Sequence, residues 1–191
     1  MKESFSNRIR NDLKESQIDW KVIIAFIPIA FITYLFHEFG HWTFGELLGN
    51  KMTLGLNSCS PQNGYFINES SALWSAIGGP LFTILQGLIF LFLTRLTKSI
   101  YAYSFTFFAV FSRFFSIVFG GINLQDEARI ARILGWNKYL VVAIVLSILF
   151  LILWRSNRIL KLNMKALGYF TVLGVFAILI VIAVNELIMI I

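Results

Sequence analysis

The chain has 191 residues, 58% of them hydrophobic and 14% charged, with mean hydropathy +0.76 and a formal net charge of +6. Soluble domains carry about 25% charged residues, so this composition excludes an ordinary soluble domain and indicates an integral membrane protein. The positive charge does not argue for nucleic acid, because the lysines and arginines gather beside apolar stretches; the surface it implies is the lipid bilayer.

In chain order, residues 1–20 (MKESFSNRIRNDLKESQIDW) predict an amphipathic segment lying on the membrane surface. Residues 22–36 are uncharged and begin the first span, too late and without the small-residue cleavage site of a secretory leader. Residues 51–68 predict a β-hairpin: alternation over 52–56, turn formers Pro61, Asn63 and Gly64, then a second strand at 65–67. Residues 73–93 form an uncharged second span. Residues 100–124 form a third, broken only by Arg113, which in lipid calls for a partner such as Glu186 or for snorkelling. Residues 139–154 read as a short fourth span against the roughly 20 residues a helix needs to cross. Residues 166–191 make a fifth. The expected architecture is an all-α polytopic membrane protein: an N-terminal segment 1–20, a three-helix core 21–138 carrying the hairpin, and two further helices in 139–191. A single cysteine, Cys59, excludes an internal disulfide.

Basic residues set the orientation. With the N-terminus in the cytoplasm, the segments at 2–21, 95–98 and 155–165 hold eleven lysines and arginines, against four (Lys51, Arg129, Arg132 and Lys138) on the other side. The chain is therefore expected in the cell membrane with its N-terminus cytoplasmic.

Within the first span, YLFHEFGHWTFGELLG (34–49) places His37, Glu38 and His41 in an apolar run, and these are the chain's only two histidines. Positions i and i+4 share a helix face, so both imidazoles can meet one ion. Zinc accepts such nitrogens, with a third protein ligand and a water in catalytic sites. Glu38 then neighbours that water as general base, the logic of His-Glu-x-x-His. Random placement of these residues yields the arrangement about four times in ten thousand.

The third ligand must be a carboxylate, since no third histidine exists and Cys59 lies in a polar loop. The first and third spans run parallel, so their late residues meet the early residues of the second at one membrane depth. His37 and His41 thereby converge with SAIGGP (75–80) and GGINLQDEARI (120–130). Asp126 is the expected ligand, and Glu127 competes with it. Glu46, five residues past His41, is turned off the ligand face.

These elements resemble the site-two protease family, intramembrane zinc metalloproteases that cut peptide bonds in or beside transmembrane segments. The resemblance covers roughly residues 22–135. HEFGH matches the motif of the first core helix. The family's aspartate ligand lies on the third core helix within Asn-Pro-x-x-x-Leu-Asp-Gly. NLQDE stands there in this sequence, with Asp126 in the ligand place, no proline, and Glu127 where glycine would stand. Asn123 corresponds to the family asparagine at a shorter spacing. Gly78, Gly79 and Pro80 resemble the Gly-Pro element of the middle helix. Small residues there allow close helix packing, and the resemblance adds a substrate-facing role for Gly79, Pro80 and Asn123. It further implies that the hairpin edge presents an extended substrate by backbone pairing. Family sites commonly lie nearer the cytosol. The sixteen positions from Lys21 to His37 instead give about 24 Å of helical rise and put the metal nearer the outer face.

The resulting expectation is an intramembrane zinc metalloprotease acting on a membrane-anchored protein, with Glu38 activating a zinc-bound water. The alternative is a non-proteolytic zinc-binding membrane protein or regulatory homologue that binds a membrane partner.

Overall fold

The computed structural model describes residues 5–190. Its helices are α1 (Phe5–Glu15), α2 (Trp20–Leu47), α3 (Glu69–Thr97), α4 (Ile100–Phe119), α5 (Asp126–Leu134), α6 (Lys138–Leu160) and α7 (Met164–Ile190). A two-stranded antiparallel sheet, β1 (Met52–Leu54) and β2 (Cys59–Pro61), follows α2. By length and composition, α2, α3, α4, α6 and α7 can each cross a membrane.

The N-terminal helix ends at Glu15 rather than running to residue 20. Asp19 then caps α2 by accepting the Val22 N–H at 2.9 Å. Lys165 at the start of α7 holds Asp12 at 2.6 Å, which ties α1 to the last span.

Two expectations are corrected. The fourth span does not end at Trp154; α6 runs 23 residues to Leu160, long enough to cross without thinning the bilayer. The helix runs on through its charged residues, with Arg158 lying 5.4 Å over the Trp154 ring, until Lys161 adopts a left-handed conformation and ends it. In the hairpin, the second strand is residues 59–61, not 65–67. The Gly55 N–H donates to the Ser58 carbonyl at 2.8 Å, closing a turn ahead of Asn63-Gly64, and Met52 pairs with Pro61. The Gln62 N–H to Lys51 carbonyl bond ends the ladder where β1 meets the end of α2. Residues 65–67 do not pair with the sheet, and the Ile67 N–H donates instead to Asn50 Oδ1 at 2.9 Å.

Lipid tails are as apolar as leucine, so helices in a bilayer associate through close packing and buried hydrogen bonds. Both devices join α2 to α3. At the crossing, Gly40 and Gly78 face each other so closely that a Cβ on either would overlap the other's carbonyl. About two turns further along, Gln86 Nε2 donates to Thr33 Oγ1 at 2.8 Å. Phe26 of α2 then packs on Phe107 and Phe108 of α4 and Phe170 of α7, with centroids 5.6–6.4 Å apart. This aromatic cluster fixes α2, α4 and α7 beside the pair.

The third span breaks at Gly120 and Gly121. Gly121 takes φ of +89°, a conformation glycine adopts without a Cβ penalty. A 3-10 turn over Ile122–Leu124 follows, and α5 starts at Asp126. The aspartate therefore stands not on the third core helix, as the resemblance implies, but in the first turn of a separate helix of nine residues.

Candidate metal centre

Three elements bring the site together. His37 and His41 sit one turn apart in the second half of α2. α3 crosses α2 at Gly40 and Gly78, and the break after α4 turns the start of α5 toward both imidazoles. His37, His41 and Asp126 thereby form a group of donors, within 4.8 Å of one another, that could hold a metal ion.

The hydrogen bonds settle which nitrogens are free. The His41 Nδ1–H donates to the Ser75 carbonyl at 2.6 Å. Thr83 gives its own hydroxyl proton to the Gly79 carbonyl at 3.1 Å, so its oxygen accepts the His37 Nδ1–H at 2.8 Å. Each imidazole thus spends its proton on α3 and turns an Nε2 lone pair inward. The two Nε2 atoms lie 3.2 Å apart. Asp126 closes the group, Oδ2 at 3.2 Å from His37 Nε2 and Oδ1 at 3.4 Å from His41 Nε2. Two lone pairs and a carboxylate at such separations repel unless a cation lies between them. Burial alone would raise the Asp126 carboxyl, but the Arg113 guanidinium holds it well below the usual carboxylate range.

Gly79 makes the approach possible, since a Cβ there would overlap His41 Nε2 and the His37 ring. Its observed contact is with His37 and His41. Pro80 is buried in α3 and does not line the cavity beside the site. Asn123 is also away from it: it accepts from Lys138 Nζ at 2.5 Å and lines a separate, smaller pocket with Trp136 and Arg132. Glu46 accepts the Met52 N–H at 2.7 Å and so anchors the hairpin.

Glu127, the competing ligand, points away from the histidines. It is fully buried and held by Arg113, whose Nε donates to Oε1 at 2.8 Å while Nη2 contacts Oε2. The same Nη2 donates to Asp126 Oδ2 at 2.9 Å. Arg113 therefore pairs within the site rather than with Glu186, which is exposed.

Beside the three donors lies a cavity of about 500 Å³. Glu38 lines it together with Asn57, Ser58 and Cys59 of the hairpin, Phe115 and Phe119 of α4, and Ile178 and Ile182 of α7. The Glu38 residue is only 7% exposed, and among the described residues its carboxylate accepts no protein hydrogen bond. Its oxygens are not among the sealed-off unpartnered atoms of the described residues, so the carboxylate stays open to water or a substrate amide in the cavity.

Ser75, Thr83, Arg113 and Gly40 are the site residues that motif reading does not single out for these roles. Ser75 and Thr83 flank Gly79 at four residues on either side, on one face of α3, and that spacing is the available signal.

A helical membrane protein with five candidate spans and a His-His-Asp group able to take a metal ion is the class these features define. Comparison with known proteins gives no matching family model, curated protein or solved structure.

Proposed function

We propose that this chain is an intramembrane zinc metalloprotease that hydrolyses a peptide bond in or near a transmembrane segment of a membrane-anchored protein. The observation that carries the reading is the pairing of a preset donor triad with an unpartnered glutamate in one cavity. Tetrahedral zinc with bonds of about 2.0–2.1 Å to nitrogen sets its ligands about 3.3 Å apart. The two Nε2 atoms, 3.2 Å apart, fit that spacing, and each faces its own oxygen of Asp126, Oδ2 at 3.2 Å from His37 and Oδ1 at 3.4 Å from His41. Nδ1 bonding of both histidines to α3 also fits, because metal-bound imidazoles characteristically donate their other N–H to an oxygen.

When bound, zinc supplies Lewis acidity, polarising the scissile carbonyl and acidifying water. Glu38 takes one proton from the attacking water as the C–O bond forms. It passes that proton to the amide nitrogen, which leaves as an amine when the C–N bond breaks. The turn between β1 and β2 lines the cavity, where the sheet's backbone can hold the substrate extended and expose its carbonyl. Phe115, Phe119, Ile178 and Ile182 form an apolar wall suited to a segment emerging from lipid. Purified protein should carry close to one zinc per chain and cut a tagged single-span reporter in liposomes. Chelation should stop the cutting and added zinc restore it. Undiminished cutting in the metal-free protein overturns the proposal.

The basic-residue bias sets the orientation within this reading, with the N-terminus cytoplasmic and the hairpin on the opposite side. Cys59 reports on it. Its thiol is pushed up to about 12 by burial, with the Glu38 and Glu46 carboxylates adding to the shift, so thiolate is scarce and labelling slow. An impermeant maleimide applied to intact cells for hours should still modify Cys59, and a tag on the N-terminus should stay protected. Labelling only after permeabilisation, with the tag exposed, reverses the orientation.

A further inference from the structure

The proposed mechanism leaves one buried group unused. Arg113 is a cation at 6% exposure in the second half of the apolar helix α4, a placement that in lipid demands compensation and a purpose. Its two acidic partners are consecutive residues of a different helix. Nε and Nη2 clamp both oxygens of Glu127, which fixes the plane of the guanidinium. With that plane fixed, Nη2 also meets Asp126 Oδ2 at 2.9 Å.

We infer that Arg113 is a positioning residue for the metal centre, selecting Asp126 over Glu127 as the third ligand and holding its carboxylate toward the two imidazoles. The inference rests on the metal-centre reading above.

Two features of the chain make such a device necessary. First, Asp126 is joined to α4 through Gly120, Gly121 and a 3-10 turn, and no side chain caps α5 at Gln125. Ile130 and Ala131 seat the body of α5 against Ala76 of α3 and Val141 of α6, and at its uncapped first turn a bidentate guanidinium pair adds the fixed geometry that orients the Asp126 carboxylate. Second, two adjacent carboxylates offer a cation alternative ligands. Arg113 occupies both oxygens of Glu127, so only Asp126 is left with an oxygen, Oδ1, directed at His41 without an arginine contact. The guanidinium thereby does for ligand choice what backbone stiffness would otherwise do.

Cobalt(II), whose visible absorption reports both uptake and ligand geometry, is the probe. A buried ion pair can be replaced by apolar residues of similar volume without loss of fold, so Arg113→Met/Glu127→Met keeps packing while removing the clamp. If the pair were only structural, the double variant would bind cobalt like the wild type. Positioning predicts affinity lower by about 10- to 100-fold, the usual cost of losing a group that orients a metal ligand, together with an altered cobalt spectrum. Glu127→Gln still accepts from the Arg113 Nε and should stay within a few-fold of wild type. If the double variant fails to fold, Arg113→Lys decides. The single ammonium cannot clamp Glu127 and reach Asp126 in one plane, so lower affinity and a changed spectrum support the role, and wild-type values of both overturn it. A wild type that takes up no cobalt overturns the metal centre and this inference with it. A folded double variant that binds as tightly as a binding wild type overturns this inference alone.

Discussion

Glu38→Gln is expected to keep the zinc and lose cleavage of the membrane reporter by about 10²- to 10⁴-fold, the usual contribution of a positioned acid-base group. The substitution changes almost nothing in shape. Glu38 bonds to no protein donor among the described residues and contributes no ligand to the His-His-Asp group, so an amide in its place disturbs neither packing nor metal. What the amide lacks is a site to accept the proton of water, and the attack on the carbonyl then proceeds without general-base help. Zinc content and turnover should therefore separate cleanly in this variant, with uncut substrate accumulating in cells that express it. Wild-type turnover in Glu38→Gln would sink the general-base role. Zinc binding with no cleavage by either protein would favour the non-proteolytic reading instead.

The parts of the site that lie within one helix are legible in the sequence, because helix geometry fixes the relation of His37, Glu38 and His41 whatever surrounds them. Asp126 is legible only through topology, by which parallel first and third spans bring their late residues together; the structure sets it beside the two histidines, but from α5 rather than from the third span itself. The role of Arg113 is not legible. The sequence points it toward Glu186, the acid of the last span, because its true partners lie beyond a glycine pair whose backbone directions no periodicity encodes. Gly121 at φ +89° turns the chain back, and that turn alone carries Asp126 and Glu127 to α4. The hairpin fails in the same way. Asn63-Gly64 is a real turn, with Gly64 at φ +80° and its N–H on the Pro61 carbonyl at 2.9 Å. It follows the sheet instead of joining its strands, since the turn at residues 55–58 closes first. For the fourth span, a hydropathy window ends where charge begins, whereas the helix continues because its backbone bonds do not depend on the side chains' charge.

The ligand series should divide the two adjacent carboxylates by different measurements. His37→Ala, His41→Ala and Asp126→Ala each remove one of three protein donors, and each should weaken zinc by more than the roughly 10- to 100-fold that an orienting partner alone costs. Thermal unfolding of the two histidine variants in metal-free detergent solution should shift little, because the donors crowd one another without the ion and their removal relieves that repulsion. Asp126→Ala also removes one contact of Arg113 and should lower the unfolding temperature somewhat. Glu127→Ala should behave in the opposite way. It strips Arg113 of the carboxylate that takes two of its hydrogen bonds, leaving a cation in the membrane interior with Asp126 alone. Breaking a buried pair from one side costs about 3–5 kcal/mol, read as a lower unfolding temperature with or without zinc. Its zinc affinity should fall less than that of Asp126→Ala, since the Arg113 contact to Asp126 Oδ2 survives. Zinc lost from Glu127→Ala but retained by Asp126→Ala, with both proteins folded, would exchange the two roles and move the third ligand one residue along α5.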